Sequence, residues 1–256
     1  MSSRSLTLGE PDEPRLTVMA RRCWRCAGVL WHLLAGAVEL LWRRAGRDPH
    51  SPAIAAAKQR WCRRLLDIMG VELRVHGLAR SGPVLLVSNH VSWLDIPVIC
   101  AARPCDCLSK AEVSGWPLIG WIARSVGTLF IRRGAGEAHA KVAEMRARLH
   151  QGRALLLFPE GTTSDGTGVR RFLPPLLAAA EASPVQPVAI RYRDPSGCPD
   201  TRLAFLGDDD IHRHLWRLLG RRRIAVDLTF TVPLPPATPR ALALAARQQI
   251  LNTLNG

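Results

Sequence analysis

Two uninterrupted apolar runs, each closed by a polar turn, constrain this chain more than any other feature. Val84-Leu85-Leu86-Val87 leads into Asn89-His90-Val91-Ser92-Trp93-Leu94-Asp95. Ala154-Leu155-Leu156-Leu157 leads into Phe158-Pro159-Glu160-Gly161-Thr162-Thr163-Ser164. Short apolar runs bounded by turn residues read as buried strands. Polar turns at the ends of core strands are where an α/β protein places its chemistry. The rest of the chain after residue 70 fits that frame. Strands are predicted at Val71–His76, Val84–Ser88, Thr128–Ile131, Ala154–Phe158, Val185–Tyr192 and Ile224–Val232. They alternate with helices predicted at Leu94–Ala102, Trp116–Ser125, Ala135–His150, Pro174–Ala182, Asp209–Leu219 and Pro239–Leu254. Such alternation predicts an α/β fold over residues 70–256, a largely parallel mixed sheet flanked by helices.

Residues 18–69 read differently. Ala27–Trp42 is apolar for most of its length, and as a helix it would span roughly 24 Å, short of the ~30 Å hydrocarbon core of a bilayer. Gly28, His32, Gly36, Glu39 and Arg43 fall along one helical stripe, so an interfacial helix is expected. A tilted span anchored by Trp24, Trp31 and Trp42, or a buried core helix, are the alternatives. After the turn Asp48-Pro49-His50-Ser51-Pro52, the residues Ile54, Ala57, Trp61, Leu65 and Ile68 recur at helical spacing, and Gly70 closes that helix. Two amphipathic helices with Arg-rich polar faces form an expected membrane-docking motif. Residues 1–17, with Pro11, Pro14 and three acidic residues, are expected to be disordered and do not resemble a secretory signal.

Charge narrows the partners. The formal net charge is +14, and Arg21, Arg22, Arg25, Arg43, Arg44 and Arg47 bracket the apolar helix. Basic residues so placed suit an anionic lipid surface, at about 1 kcal/mol per Lys or Arg. Nucleic acid is not the expected partner, because one tyrosine and five phenylalanines give no basic-aromatic stacking pattern. The cysteines at 23, 26, 62, 100, 105, 107 and 198 read as free thiols with no metal: Cys23-x-x-Cys26 lacks a second pair, and Cys105-x-Cys107 is tight for the usual ligand geometry.

His90 and Asp95 are neither three nor four residues apart, so a regular helix would not bring them together. If His90 ends a strand and residues 92–95 turn into a helix, the carboxylate folds back onto the imidazole. It then fixes the tautomer and leaves the other ring nitrogen to take a proton. No Gly-x-Ser-x-Gly nucleophile and no Walker motif is present. Activation of a hydroxyl on the substrate itself, without a covalent enzyme intermediate, is the simplest mechanism. Glu160 to Ser164 form a turn able to hold an anionic or polyhydroxy headgroup, and Arg132-Arg133 at a strand end could grip a phosphate.

In combination these segments resemble a known family. Asn89-His90-x4-Asp95, Gly127-x-x-Phe130-Ile131-x-Arg133, Phe158-Pro159-Glu160-Gly161-Thr162-x-Ser164 and Val185-x-Pro187-Val188 match in order the four blocks of the PlsC-like glycerolipid acyltransferases. The resemblance covers roughly residues 70–235. It implies transfer of an acyl chain from acyl-CoA or acyl carrier protein to a lysolipid hydroxyl at the cytoplasmic membrane face, with no metal or organic cofactor. It makes His90 the general base and Asp95 its orienting partner. Glu160, Gly161, Thr162, Arg133 and Lys110 would hold the acceptor. Phosphatidic acid is the expected product. Against it, Thr163 stands where phosphatidic-acid-forming relatives usually have Arg, and the Thr-Thr-Ser-Asp-Gly continuation is similar to lyso-ornithine lipid acyltransferases. A non-catalytic lipid-binding protein is the alternative of another class, and it has no need of the intact His90 and Asp95.

Overall fold

The computed structural model describes residues 13–43, 47–132, 138–207 and 209–256. Its strands are β1 (Val71–His76), β2 (Val84–Ser88), β3 (Asp106–Lys110), β4 (Leu129–Ile131), β5 (Ala154–Leu157), β6 (Val185–Arg193) and β7 (Ile224–Phe230). They form one sheet in the order β1-β7-β6-β2-β5-β3-β4. Every neighbouring pair is parallel except β6 with β7, so the expected mixed, largely parallel sheet is found. The helices are α1 (Arg15–Trp42), α2 (Pro52–Met69), α3 (Asp95–Ala102), α4 (Ala111–Ser114), α5 (Ile119–Ser125), α6 (Ala138–His150), α7 (Ile211–Gly220) and α8 (Pro239–Asn255).

β2 and β5 lie inside the sheet with every residue buried, because helices cover both faces. Alternate residues of β2 serve opposite cores. Val84 and Leu86 pack with Leu65, Met69, Val98 and Leu218 from α2, α3 and α7. Leu85 and Val87 pack with Met145, Leu149, Leu242 and Ile250 from α6 and α8. The parallel strands β2, β3, β4, β5 and β6 therefore present their carboxyl ends along one edge.

Three elements depart from expectation. β3 was not legible as a strand, since Asp-Cys-Leu-Ser-Lys is polar at both ends. It forms because Asp106 is buried against Arg148 and Arg153. The helix predicted over Trp116–Ser125 breaks at Pro117 and Leu118, the latter held at φ 58°, leaving only Ile119–Ser125 as helix. The segment Pro174–Ala182 is a 3-10 helix over Pro175–Ala180 rather than an α-helix.

The N-terminal helices are not an appendage. α1 begins at Arg15, inside the segment expected to be disordered, while residues 1–12 lie outside the described residues. Val29, Cys62, Leu65, Leu66 and Met69 belong to the same core as β2 and α3. α2 starts on the Ser51 hydroxyl, which accepts the Ile54 N–H, and stops at Gly70, whose φ of 72° is open to glycine. Several basic residues expected to face lipid bond carbonyls instead. Arg21 donates to the Gly220 carbonyl at 2.8 Å and Arg25 to that of Leu219 at 3.4 Å, both at the end of α7. Arg63 of α2 donates to the Ala101 carbonyl at 2.9 Å, at the end of α3, as does the neutral Gln59 at 3.1 Å. Helix C-termini carry unsatisfied carbonyls and partial negative charge, which these side chains meet. No described helix is long and apolar enough to cross a membrane.

Candidate active site

β2 ends at Ser88 and α3 starts at Asp95, so the intervening residues form the turn that brings the two candidate catalytic side chains together. The His90 Nδ1 lies 2.8 Å from Asp95 Oδ2. A carboxylate only accepts, so Nδ1 carries the proton and Nε2 presents its lone pair. Nε2 has no hydrogen-bond partner among the described residues. The imidazole is partly exposed and lies nearly parallel to the Phe158 ring, with centroids 4.0 Å apart and planes 15° from parallel. Phe158 opens the turn after β5, the strand beside β2, so the two polar turns meet where adjacent strands end.

Asp95 is fully buried and heavily hydrogen-bonded. Besides His90, Oδ2 accepts the N–H groups of Val91 at 2.7 Å and Ser92 at 3.0 Å, and Oδ1 accepts the Tyr192 hydroxyl at 2.7 Å. Four donors on one carboxylate fix its plane, and through it the ring. Tyr192 was not singled out from the sequence. The only available signal was that the chain's single tyrosine ends a predicted core strand. Burial first, and its contact with Asp95 next, push the phenol well above its ordinary value and keep it a donor. Asn89 is fully buried and clamps β2 to β6, its amide donating to the Ile190 carbonyl and accepting the Ile190 N–H, each at 2.9 Å.

Glu160 is a brace. One carboxylate oxygen accepts the His90 N–H at 2.9 Å and the other accepts the Arg170 N–H at 3.1 Å. Burial raises its pKa, and the two N–H donors work against that rise. The carboxylate thus ties the second turn to the first from inside. Gly161 takes φ 71°, where a side chain would be strained, and Thr162 beside it is half-buried. Ser164 donates its N–H to the His90 carbonyl at 2.7 Å, closing the two turns on each other. The Thr163 hydroxyl donates to the Phe205 carbonyl.

Lys110 ends β3 as an exposed side chain on the same carboxyl edge, with β5 lying between β3 and β2. Arg133 lies outside the described residues. Ser92 is not a free nucleophile, being fully buried with its hydroxyl accepting the Leu94 N–H at 3.4 Å. Beside the dyad, Ser164, Asp165, Thr167, Gly168, Val169, Arg170 and Leu206 line a groove of about 360 Å³. It offers one carboxylate and one guanidinium. The N–H and hydroxyl of Thr167, and then Arg170, hold Asp165 below the usual carboxylate range. The arrangement is thus a positioned base with an open nitrogen, next to a groove bearing both signs of charge.

A family model described as Acyltransferase matches residues 72–191. The chain is 45% identical over 227 residues to the lyso-ornithine lipid O-acyltransferase of Pseudomonas aeruginosa, covering 87% of each chain. It is 32% identical over 171 residues to the 1-acyl-sn-glycerol-3-phosphate acyltransferase of Neisseria gonorrhoeae, covering 64% of this chain and 65% of the other. Among solved structures, the 1-acyl-sn-glycerophosphate acyltransferase PlsC from Thermotoga maritima shares the fold with a TM-score of 0.70 at 17% identity, covering 94% of this chain and 96% of that one.

Proposed function

The chain belongs to the PlsC-like acyltransferases, enzymes that act on lysolipids, and from that premise we propose that it acylates a lyso-ornithine lipid with His90 as the general base. The observation that carries the chemistry is the open Nε2 of an imidazole whose Nδ1–H is held by buried Asp95. Nε2 takes the proton of the acceptor hydroxyl as its oxygen attacks the thioester carbonyl of acyl-CoA or acyl carrier protein. The C–S bond then breaks, the ester forms, and the imidazolium returns the proton to the departing thiolate. Asp95 stabilises the imidazolium between those two events.

The acceptor reading rests on the groove and on Thr163. Ornithine carries an ammonium and a carboxylate, and Asp165 and Arg170 offer one partner for each. A phosphate monoester would meet the Asp165 carboxylate instead. Thr163 supplies no guanidinium and its hydroxyl is committed to Phe205, so the expected phosphatidic acid gives way to the lyso-ornithine alternative. The test is incubation of the purified enzyme with labelled acyl-CoA or acyl carrier protein and a panel of lysolipids. Preferred transfer to lyso-ornithine lipid is expected, and transfer confined to 1-acylglycerol-3-phosphate would overturn the acceptor assignment. Lys110, Gly161, Thr162 and, outside the described residues, Arg133 remain on this proposal as the acceptor-holding set.

Docking to the cytoplasmic face of a membrane completes the proposal. One stripe of α1 leaves Trp24, Trp31, Leu34, Val38, Leu41 and Trp42 exposed, with Trp31 at 73% and Val38 at 64%. α1 packs its other face on α2 and α7, and Leu40 meets Trp121 and Ile122 of α5. Exposed Trp116 and Ile119 follow β3, which ends on the same edge of the sheet as the dyad. An apolar stripe of this kind lies in the lipid interface. Deleting residues 1–69 would strip the core, so the test is Trp31→Glu with Val38→Glu. The double variant is expected to lose co-sedimentation with anionic phospholipid vesicles while keeping its melting temperature; undiminished binding would put the docking surface elsewhere.

A further inference from the structure

Four thiols meet between α2, α3 and β3, away from the acyl-transfer chemistry. Cys62, Cys100, Cys105 and Cys107 are all buried. The Cys100 sulfur lies 3.9 Å from that of Cys105 and 3.7 Å from that of Cys107, and all three sulfurs fall within 4.8 Å of one another. Cys62 approaches Cys100 from the α2 side, outside that trio. The short Cys105-x-Cys107 spacing is workable because β3 starts between them, and residues two apart along extended chain share a face. With metal–sulfur bonds of about 2.3 Å, the sulfurs of a tetrahedral thiolate site stand about 3.8 Å apart. The two separations from Cys100 match that edge length.

Charge points the same way. Lys58 turns its ammonium onto the Cys105 carbonyl at 2.6 Å and makes no ion pair with a carboxylate among the described residues. Asp106 is already shared by Arg148 and Arg153, at 3.1 and 2.8 Å, and does not neutralise it. Three neutral thiols leave the Lys58 ammonium without a counter-charge. A divalent ion on three thiolates carries net charge −1, which Lys58 cancels.

We propose that Cys100, Cys105 and Cys107 bind a thiophilic divalent ion of the zinc class. On binding, each coordinating thiol loses its proton to solvent and forms one sulfur–metal bond, as soft sulfur ligands require. The ion fastens α3 to β3, behind the helix that carries Asp95.

The test uses the full chain refolded with Cd²⁺ or Zn²⁺ and passed through a chelator-containing column. About one ion per chain is expected, with a thiolate-to-Cd²⁺ charge-transfer band and a melting temperature raised by Zn²⁺. Cys100→Ser and, separately, Cys107→Ser should lose the band and at least ~10-fold in affinity, while Cys198→Ser, at an exposed thiol, should behave as wild type. Wild-type protein that emerges folded without metal and without the band would overturn the proposal. So would retention of the ion by both core variants, or a disulfide from Cys100 found by mass spectrometry. Because the wild-type outcome needs no substitution, a variant that fails to fold does not shelter the idea.

Discussion

Two imidazoles lie close to the carboxyl edge of this sheet and have opposite fates. His90 donates Nδ1–H to a buried carboxylate and leaves Nε2 open. His214, on α7, spends both nitrogens: Nδ1 accepts the Trp93 indole N–H at 3.0 Å and Nε2 donates to the Ala204 carbonyl at 3.0 Å. Phe205 stacks edge-on against the His214 ring at 5.2 Å, and only 1% of the residue is exposed. Burial alone would mark His214 as the more perturbed and hence the more interesting group. What separates a base from a structural post is the vacant nitrogen with a carboxylate behind it.

The widest gap between the two should come from His90→Ala. Removing the base is expected to lower acyl transfer by at least ~10²-fold with little change in melting temperature, since the ring is partly exposed. Steady-state rates on the preferred lysolipid would measure it, and near-wild-type turnover would erase the distinction between the two histidines.

Asp95→Asn sharpens the comparison by keeping the shape and removing the charge. If the amide oxygen faces His90, Val91 and Ser92, the amide nitrogen can donate to the Tyr192 hydroxyl oxygen, so the His90 tautomer survives. The loss is then the difference between a charged and a neutral acceptor, on the order of 1 kcal/mol, or roughly tenfold in turnover. A fall of ~10⁴ would mean that the amide nitrogen had turned to His90 and reversed the tautomer. Unchanged turnover would detach the carboxylate from the chemistry.

The contrast also shows what a sequence discloses. The His90–Asp95 pairing was legible because a strand end and a helix start five residues apart leave the carboxylate little choice but to fold back. The central strands were legible because β2 and β5 are apolar throughout. Asp95's dependence on Tyr192 was not, since their positions are 97 residues apart and joined only by the pairing of β2 with β6. β3 was hidden for the same kind of reason: Asp106, its polar first residue, is satisfied by Arg148 and Arg153, far along the chain. Arginines of α1 and α2 looked like a membrane face, yet some cap α3 and α7. Local patterns report what a segment can do by itself, and these residues are committed by distant partners.

His214 gives the smallest effect and the finest test of the difference. Its pKa is lowered by burial first and by Arg217 next, although the Ala204 and Leu203 carbonyls oppose the shift. A base depressed on folding contributes stability that is present above its ordinary value of about 6.5 and is lost as pH falls toward the folded value. Protonation would put a second proton on Nδ1, against the Trp93 N–H. His214→Gln retains a donor and an acceptor but loses the aromatic contact, so above about pH 6.5 it should be less stable by about 1 kcal/mol. Glutamine does not titrate, so that deficit should narrow as pH falls through the window below 6.5, where only the wild type is penalised. Urea unfolding of both proteins on either side of that window reads the change directly. A deficit constant with pH would mean that the His214 site accepts a proton as readily as water does, and the physical line drawn between the two imidazoles would then rest on His90 alone.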